Sequence, residues 1–303
     1  MKSHYLHRLN MLKASRKILL IFIDGLGIGE DDPRLNPLLH HPDIWPAKNH
    51  KPDFNGLSNI PIDACLGVEG LPQSATGQTA LLTGINAPKL VGKHLQGFPS
   101  RKLIELLKNE SIFVHLTRNG YNATFANAYR HPEDITPFSR LSVTSHAFKA
   151  SGQPFRSVEQ IEKREALYHD FTNRSLGDKW GDIPILSAQE AADILVGIAK
   201  KEHFTLYEHF MTDILGHKGD KSAILSLIRQ LSDFIHSTLT LANEEGIKII
   251  ITSDHGNIED SSVKTHTRNS VPFIWNFDSE IIDENQPERI TDVIPLIKKI
   301  LIG

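Results

Sequence analysis

Four stretches of this sequence end in, or are followed closely by, side chains that can ligate a divalent cation. Ile249-Ile-Ile-Thr-Ser-Asp254-His255-Gly256-Asn257 is an apolar, β-branched run that stops at an adjacent acid and imidazole. Such a run reads as a buried parallel strand. Lys17-Ile-Leu-Leu-Ile-Phe-Ile-Asp24-Gly25 repeats the arrangement near the N-terminus. His203 to Asp213 leads into His217, four residues on, so that one turn can aim the acid and the imidazole at a single point. His266 precedes a further strand-like run, Val271-Pro-Phe-Ile-Trp275. In open α/β sheets, ligands gather beyond the carboxyl ends of the strands, and Asp and His are good donors to manganese or zinc. An Asp-Gly turn or a lone His is commonplace by itself. Four such sites at strand ends point to a metal centre.

A hydroxyl completes the set. Leu71-Pro-Gln-Ser74-Ala-Thr-Gly-Gln78-Thr reads as a loop entering a helix. Ser74 then sits where helix N–H groups could receive a phosphate. The same spacing also fits a plain N-cap serine, with Gly84 as the C-terminal stop.

Taken in order, these segments resemble the alkaline phosphatase superfamily, and most closely its branch of cofactor-independent phosphoglycerate mutase and phosphopentomutase. Asp24-Gly resembles its first ligand motif, Ser74-Ala-Thr-Gly-Gln its nucleophile segment and Asp213-Ile-Leu-Gly-His217 its Asp-x-x-x-His motif. Asp254-His255-Gly-Asn and Thr265-His266-Thr resemble its last two. The resemblance implies two divalent metal ions, Mn2+ or Zn2+. One would be held by Asp213, His217 and His266, the other by Asp24, Ser74, Asp254 and His255, with Ser74 as nucleophile. It also implies phosphoryl transfer on a small phosphorylated metabolite. Gln78 stands where the mutase carries a His, and only 139 positions separate Ser74 from Asp213, too few for the mutase's large inserted domain. Both departures favour a phosphatase, with a phosphomutase as the alternative. A phosphodiesterase or a non-catalytic metal-binding protein are lesser readings.

The elements that must position these residues alternate strand and helix, the α/β signature. A doubly wound, mostly parallel sheet is expected, with strands at 17–23, 122–126, 247–253 and 271–275. Helices are expected after Ser74, at 100–109, 111–119, 187–200 and 221–245, with a closing helix at 290–301. The chain is expected to be one domain, 1–303, with a small cap within 91–186. Lys93, His94, Arg130 and Arg268, with Gln78, are the candidate substrate contacts. Further cap cations (His131, Arg140, His146, Arg156, Arg164, His169 and Arg174) could bind a phosphate, or simply balance neighbouring acids. His40, His41 and His50 invite a metal reading but have no partner strand. Asp63 to Val68 looks like a strand holding Cys65 as a packing residue.

With 40% hydrophobic residues and a net charge of −3, the composition is that of an ordinary globular chain and offers no basic footprint for nucleic acid or anionic membranes. One cysteine excludes an internal disulfide and a thiolate zinc site. No apolar run of eighteen residues exists, and none resembles a leader, so a cytoplasmic location is expected. No sequence feature specifies oligomeric state.

Overall fold

The computed structural model describes residues 16–54, 56–129, 140–177 and 183–303. A six-stranded sheet runs in the order β2-β6-β5-β1-β4-β3. The strands are β1 (Ile18–Ile23), β2 (Ser58–Ile62), β3 (Ala123–Phe125), β4 (Phe204–His209), β5 (Lys248–Thr252) and β6 (Val271–Trp275). β1 lies at the centre, parallel to β4 and β5, and β3 extends the parallel set. β6 is antiparallel to both β5 and β2.

Alternation along β1 explains why both faces are covered. Ile18, Leu20 and Phe22 enter one core with the helices Ser74–Thr83, Arg101–Glu110, Ile112–Arg118, Val143–Lys149 and Val293–Ile302. Leu19, Ile21 and Ile23 enter the other with Ala188–Ala199 and Lys221–Glu244. A strand buried on both faces reads as a continuous apolar run, and β1 has that pattern. In the second core, Phe171 and Phe234 stack at 4.5 Å, and Trp45 donates its indole N–H to Ser232 Oγ at 2.8 Å. The expected strands and helices fall within one or two residues of their observed bounds.

Two local expectations need correction. The Asp63–Val68 stretch is no strand. β2 ends at Ile62, and Asp63 turns the chain by accepting N–H bonds from Cys65 and Leu66. Leu66 takes φ 55° in that turn, and Cys65 is only half buried. The sheet edge is β2 itself, whose Pro61 is tolerated because an edge strand has one side without ladder bonds. The closing helix begins with a 3-10 turn, Ile290–Asp292, before Val293–Ile302.

A third, smaller cluster of Ala128, Ile161, Ala166, Tyr168 and Leu176 lies in the segment after β3. Arg156 serves that segment structurally. Its guanidinium donates to Phe125 O and Glu165 O at 2.8 Å and to Thr124 Oγ1, so it is not available to an anion. Arg164 lies 3.6 Å from Glu190. Arg130 and His131 lie outside the described residues. Among the described residues, no helix is long and apolar enough to cross a membrane.

The Phe171–Phe234 stack makes a test of the second core. Phe234→Ala should lower the unfolding free energy by about 3–5 kcal/mol, read from urea denaturation. The exposed Lys221→Ala should fall within about 0.5 kcal/mol of the parent.

Candidate metal centre

Every sequence-predicted ligand reaches the carboxyl edge of the central strands. Asp24 follows β1, Asp254 and His255 follow β5, and Asp213 and His217 stand on the helix Met211–Lys218 after β4. His266 comes before its strand, and only the reversed direction of β6 brings it to the same edge. Gly25 allows the close approach. Its φ is +72°, and a Cβ there would lie 3.0 Å from Asp213 Cβ. Gly77, in the Ser74 helix, plays a similar part against Asp254 O, 2.9 Å from where a Cβ would stand.

Two groups of donors result. Asp213, His217 and His266 form one, and Asp24, Asp213 and His255 the other, with ligand atoms within 4.8 Å in each. Asp213 belongs to both, a bridging place that its motif did not reveal. Ser74 Oγ lies 3.1 Å from His255 Nε2, which is 3.2 Å from Asp24 Oδ1 and 3.4 Å from Asp254 Oδ2. The N-cap of the nucleophile helix is Gln73, and Ser74 is the first helical residue. The capping role for Ser74 is therefore excluded, and its hydroxyl faces the cluster.

The donors fit a cation. His217 Nδ1 is 2.8 Å from Lys264 O, and His266 Nδ1 is 2.7 Å from Pro72 O. A carbonyl only accepts, so each Nδ1 carries the proton. Both Nε2 atoms then present lone pairs 3.1 Å apart, each 3.4 Å from Asp213 Oδ1. Without a cation, a proton must fill that gap. Burial opposes charge on His266, yet Asp213 beside it raises its pKa above 6.5. Asp213 itself is held at about 2 against burial by His266, His255 and Asn257. On the other side, Asp24 Oδ1 and both Asp254 oxygens are buried with no hydrogen-bond partner. Burial, and then the charges of Asp24 and Asp213, drive Asp254 well above 3.8. Buried carboxylates in this state want a cation.

The candidate substrate contacts separate. Gln78 is buried and donates to Asp24 Oδ2 at 3.0 Å, orienting that acid. Lys93 and His94 line a different cavity of about 350 Å3 with Gly70 and Gln73. Arg268 is exposed, and its charge acts on His94, whose pKa is lowered chiefly by burial. His50 Nε2 meets Pro42 O at 2.7 Å, and His40, His41 and His50 join neither donor group.

Two acids were overlooked in the sequence. Glu259 is 1% exposed and accepts from the N–H groups of Gly27 (2.9 Å) and Asn257 (2.7 Å), from Thr267 Oγ1 (2.5 Å) and from Asn269 Nδ2 (3.0 Å). It thereby ties together the loops carrying Asp24, Asp254–His255 and His266. Asn257 in turn donates to Asp213 Oδ1 at 2.7 Å. Glu208, in β4, is raised to about 8 by burial and then by the charge of Asp24. The sequence signals were an acid two residues past Asn257 and a carboxylate inside an apolar strand.

Known proteins resemble this chain in part of its sequence and in its fold. Residues 177–293 match the metalloenzyme superfamily. The 2,3-bisphosphoglycerate-independent phosphoglycerate mutases of Ehrlichia canis and Parabacteroides distasonis are 31% and 33% identical over 128 and 129 residues. Each alignment covers 39% of this chain and 25% of the relative. The alkaline phosphatase of the Antarctic bacterium TAB5 matches with a TM-score of 0.53 at 14% identity, covering 94% of this chain and 97% of that one. The PH0037 protein from Pyrococcus horikoshii matches at 0.56 and 14%, covering 95% and 97%. The chain has the fold of these alkaline-phosphatase-like structures, and its residues 177–293 resemble the metalloenzyme superfamily. Its superfamily match holds Asp213, His217, Asp254, His255 and His266, while Asp24 and Ser74 lie outside it and are joined to them by the fold. The alignments span about a quarter of the length of these curated relatives.

Glu259→Ala leaves four donors without their acceptor. It should cost about 2–4 kcal/mol of unfolding free energy and weaken divalent-cation affinity about 10–100-fold, measured by denaturation and by titration calorimetry. A pH dependence follows as well. Asp254, Glu208 and His266 have raised native pKa values, so the native state holds more protons than the unfolded chain as pH rises. That stability is lost with rising pH. His209, lowered to about 4 by burial, acts in the opposite sense only below its ordinary 6.5. The Tm of metal-stripped protein should therefore fall between about pH 6.5 and 8. Added Mn2+ should shrink or reverse that fall, because cations displace the same protons.

Proposed function

We propose that the chain is a two-metal phosphoryl-transfer enzyme, a phosphatase that hydrolyses a small phosphorylated metabolite through a phosphoserine on Ser74. The observation that carries this reading is Ser74 Oγ, 3.1 Å from His255 Nε2 at the first turn of a helix and beside the Asp24–Asp213–His255 group. Asp213, His217 and His266 would hold one cation. Asp24, Asp254 and His255, with Ser74, would hold the other. Bound there, the cations supply the positive field that draws a phosphate toward three carboxylates, lower the pKa of the serine hydroxyl and stabilise the departing oxygen.

The chain's own residues do the rest. Gln78 fixes Asp24, Asn257 fixes Asp213, and the helix start holds the Ser74 hydroxyl toward His255. The Ser74 Oγ–P bond forms as the P–O bond to the leaving group breaks, and the alcohol departs with a proton. Water then attacks phosphorus, releasing inorganic phosphate and restoring the serine hydroxyl. Holding the nucleophile, the phosphate and the leaving oxygen together removes much of the entropic barrier.

The identity with phosphoglycerate mutases supports a second reading, phosphomutase chemistry. A mutase must retain its dephosphorylated intermediate and exclude water. The short interval from Ser74 to Asp213, with one small separate cluster after β3 among the described residues, supports hydrolysis instead. We further propose that this segment is the cap of a single catalytic domain.

Metal-stripped protein restored with Mn2+ or Zn2+ should release phosphate from p-nitrophenyl phosphate, and Ser74→Ala should lower that rate at least about 10^3-fold. Rearranged phosphate ester without free phosphate would establish the mutase. Release that survives Ser74→Ala would remove Ser74 from the chemistry.

A further inference from the structure

A cavity of about 570 Å3 opens at the carboxyl end of β4, just before the helix that carries Asp213 and His217. Its position follows from three links. Phe210, on its wall, immediately precedes the helix carrying Asp213 and His217. Glu208, also on its wall, lies close enough to Asp24 to feel its charge. Asn127, a third lining residue, is locked to the β4 backbone by bonds to Glu208 N (2.9 Å) and Glu208 O (2.7 Å).

The chemistry of the walls is mixed in a particular way. Aromatic rings dominate the apolar part, with Phe210 stacked on the His169 ring at 4.1 Å and Tyr168 beside it. The polar part holds Glu208, only 6% exposed, and Ser145, whose hydroxyl pairs with Ser142 Oγ at 2.7 Å. Among the described residues no ion pair reaches Glu208, and the charge that acts on it is that of Asp24, also negative. Arg140 lies over the Phe98 ring at 4.4 Å, on the wall but exposed.

These features discriminate between leaving groups. A three-carbon acid entering the cavity would fill little of its volume. An ammonium group would face Arg140 on the way in, and it would fill little of the volume. A hydroxylated ring would fill it, with hydroxyls donating to Glu208 and a ring face packing on the aromatic walls. Glu208 gains an acceptor role in either protonation state, since even the neutral carboxyl keeps a carbonyl oxygen.

Resting on the phosphoryl-transfer reading, we propose that this cavity seats the alcohol part of the substrate and selects a neutral, hydroxyl-bearing ring of sugar or nucleoside size, with Glu208 accepting from a ring hydroxyl. Glycerate-type esters are disfavoured because they would leave most of the cavity unfilled.

Two measurements on the full chain with Mn2+ test it. The first is binding without turnover, by calorimetry on Ser74→Ala. The ligands are ribose 5-phosphate, adenosine 5′-monophosphate, 3-phosphoglycerate and phosphoethanolamine. A sugar or nucleoside phosphate should bind at least about tenfold tighter than the other two. Adding Glu208→Leu should shrink that preference severalfold, because it removes both acceptor oxygens. Tightest binding of 3-phosphoglycerate or of phosphoethanolamine, or a preference unmoved by Glu208→Leu, would overturn the assignment. The second is phosphate release by the unsubstituted chain from the same esters. The ester bound most tightly should also show the highest kcat/KM, and a different order would place the alcohol elsewhere. Absence of release from every ester, with the binding preference intact, would contradict the phosphatase reading and leave the cavity's selectivity standing.

Discussion

The structure depends on a concentration of negative charge and bare lone pairs at one edge of its sheet. Asp24, Asp213 and Asp254 converge with His255 and His266, largely out of water, and with the exposed His217. Left to protons alone, the cluster is frustrated. Asp254 is driven toward its neutral form, and two imidazole nitrogens face each other across 3.1 Å. Divalent cations bound there would relieve all of these conflicts at once, which would tie the stability of this edge to its chemistry.

The sheet makes that concentration possible. β1, β4 and β5 run parallel, so the loops that follow them open at one edge. β6 runs the other way, so the loop that precedes it opens there too. Glu259 then binds three of these loops through four donors, and a Cβ on Gly27 would come within 2.2 Å of its carboxylate. The candidate ligands are thus set by backbone tied to a buried acid, and not by side-chain rotamers alone. Beyond them, the wall that would recognise the substrate belongs to β4 and to the segment after β3.

Much of this was legible in the sequence where burial is continuous. β1 and β5 are unbroken apolar runs, so both the strands and the acids that end them stood out. The helices at 188–199 and 221–244 have clear amphipathic periods and serine or aspartate caps. β2 was missed because Ser58-Asn-Ile-Pro-Ile is an edge strand with partly exposed side chains and a proline. Arg156 looked like an anion receptor because its partners Thr124, Phe125 and Glu165 are set by packing, two of them some thirty residues away. Glu208 and Glu259 were passed over for the same reason. An acid's role depends on which donors or charges the fold brings to it, and those come from distant loops. The bridging place of Asp213 is likewise a product of the fold, since spacing ties it only to His217.

The most direct test is the stoichiometry of divalent-cation binding, by titration calorimetry of Mn2+ or Zn2+ into metal-stripped protein with metal content checked by mass spectrometry. The expected result is two cations per chain, with Asp213→Ala losing tight binding at one site and weakening the other, because Asp213 belongs to both donor groups. No tight binding, or a single site indifferent to Asp213→Ala, would contradict a two-metal centre at this edge.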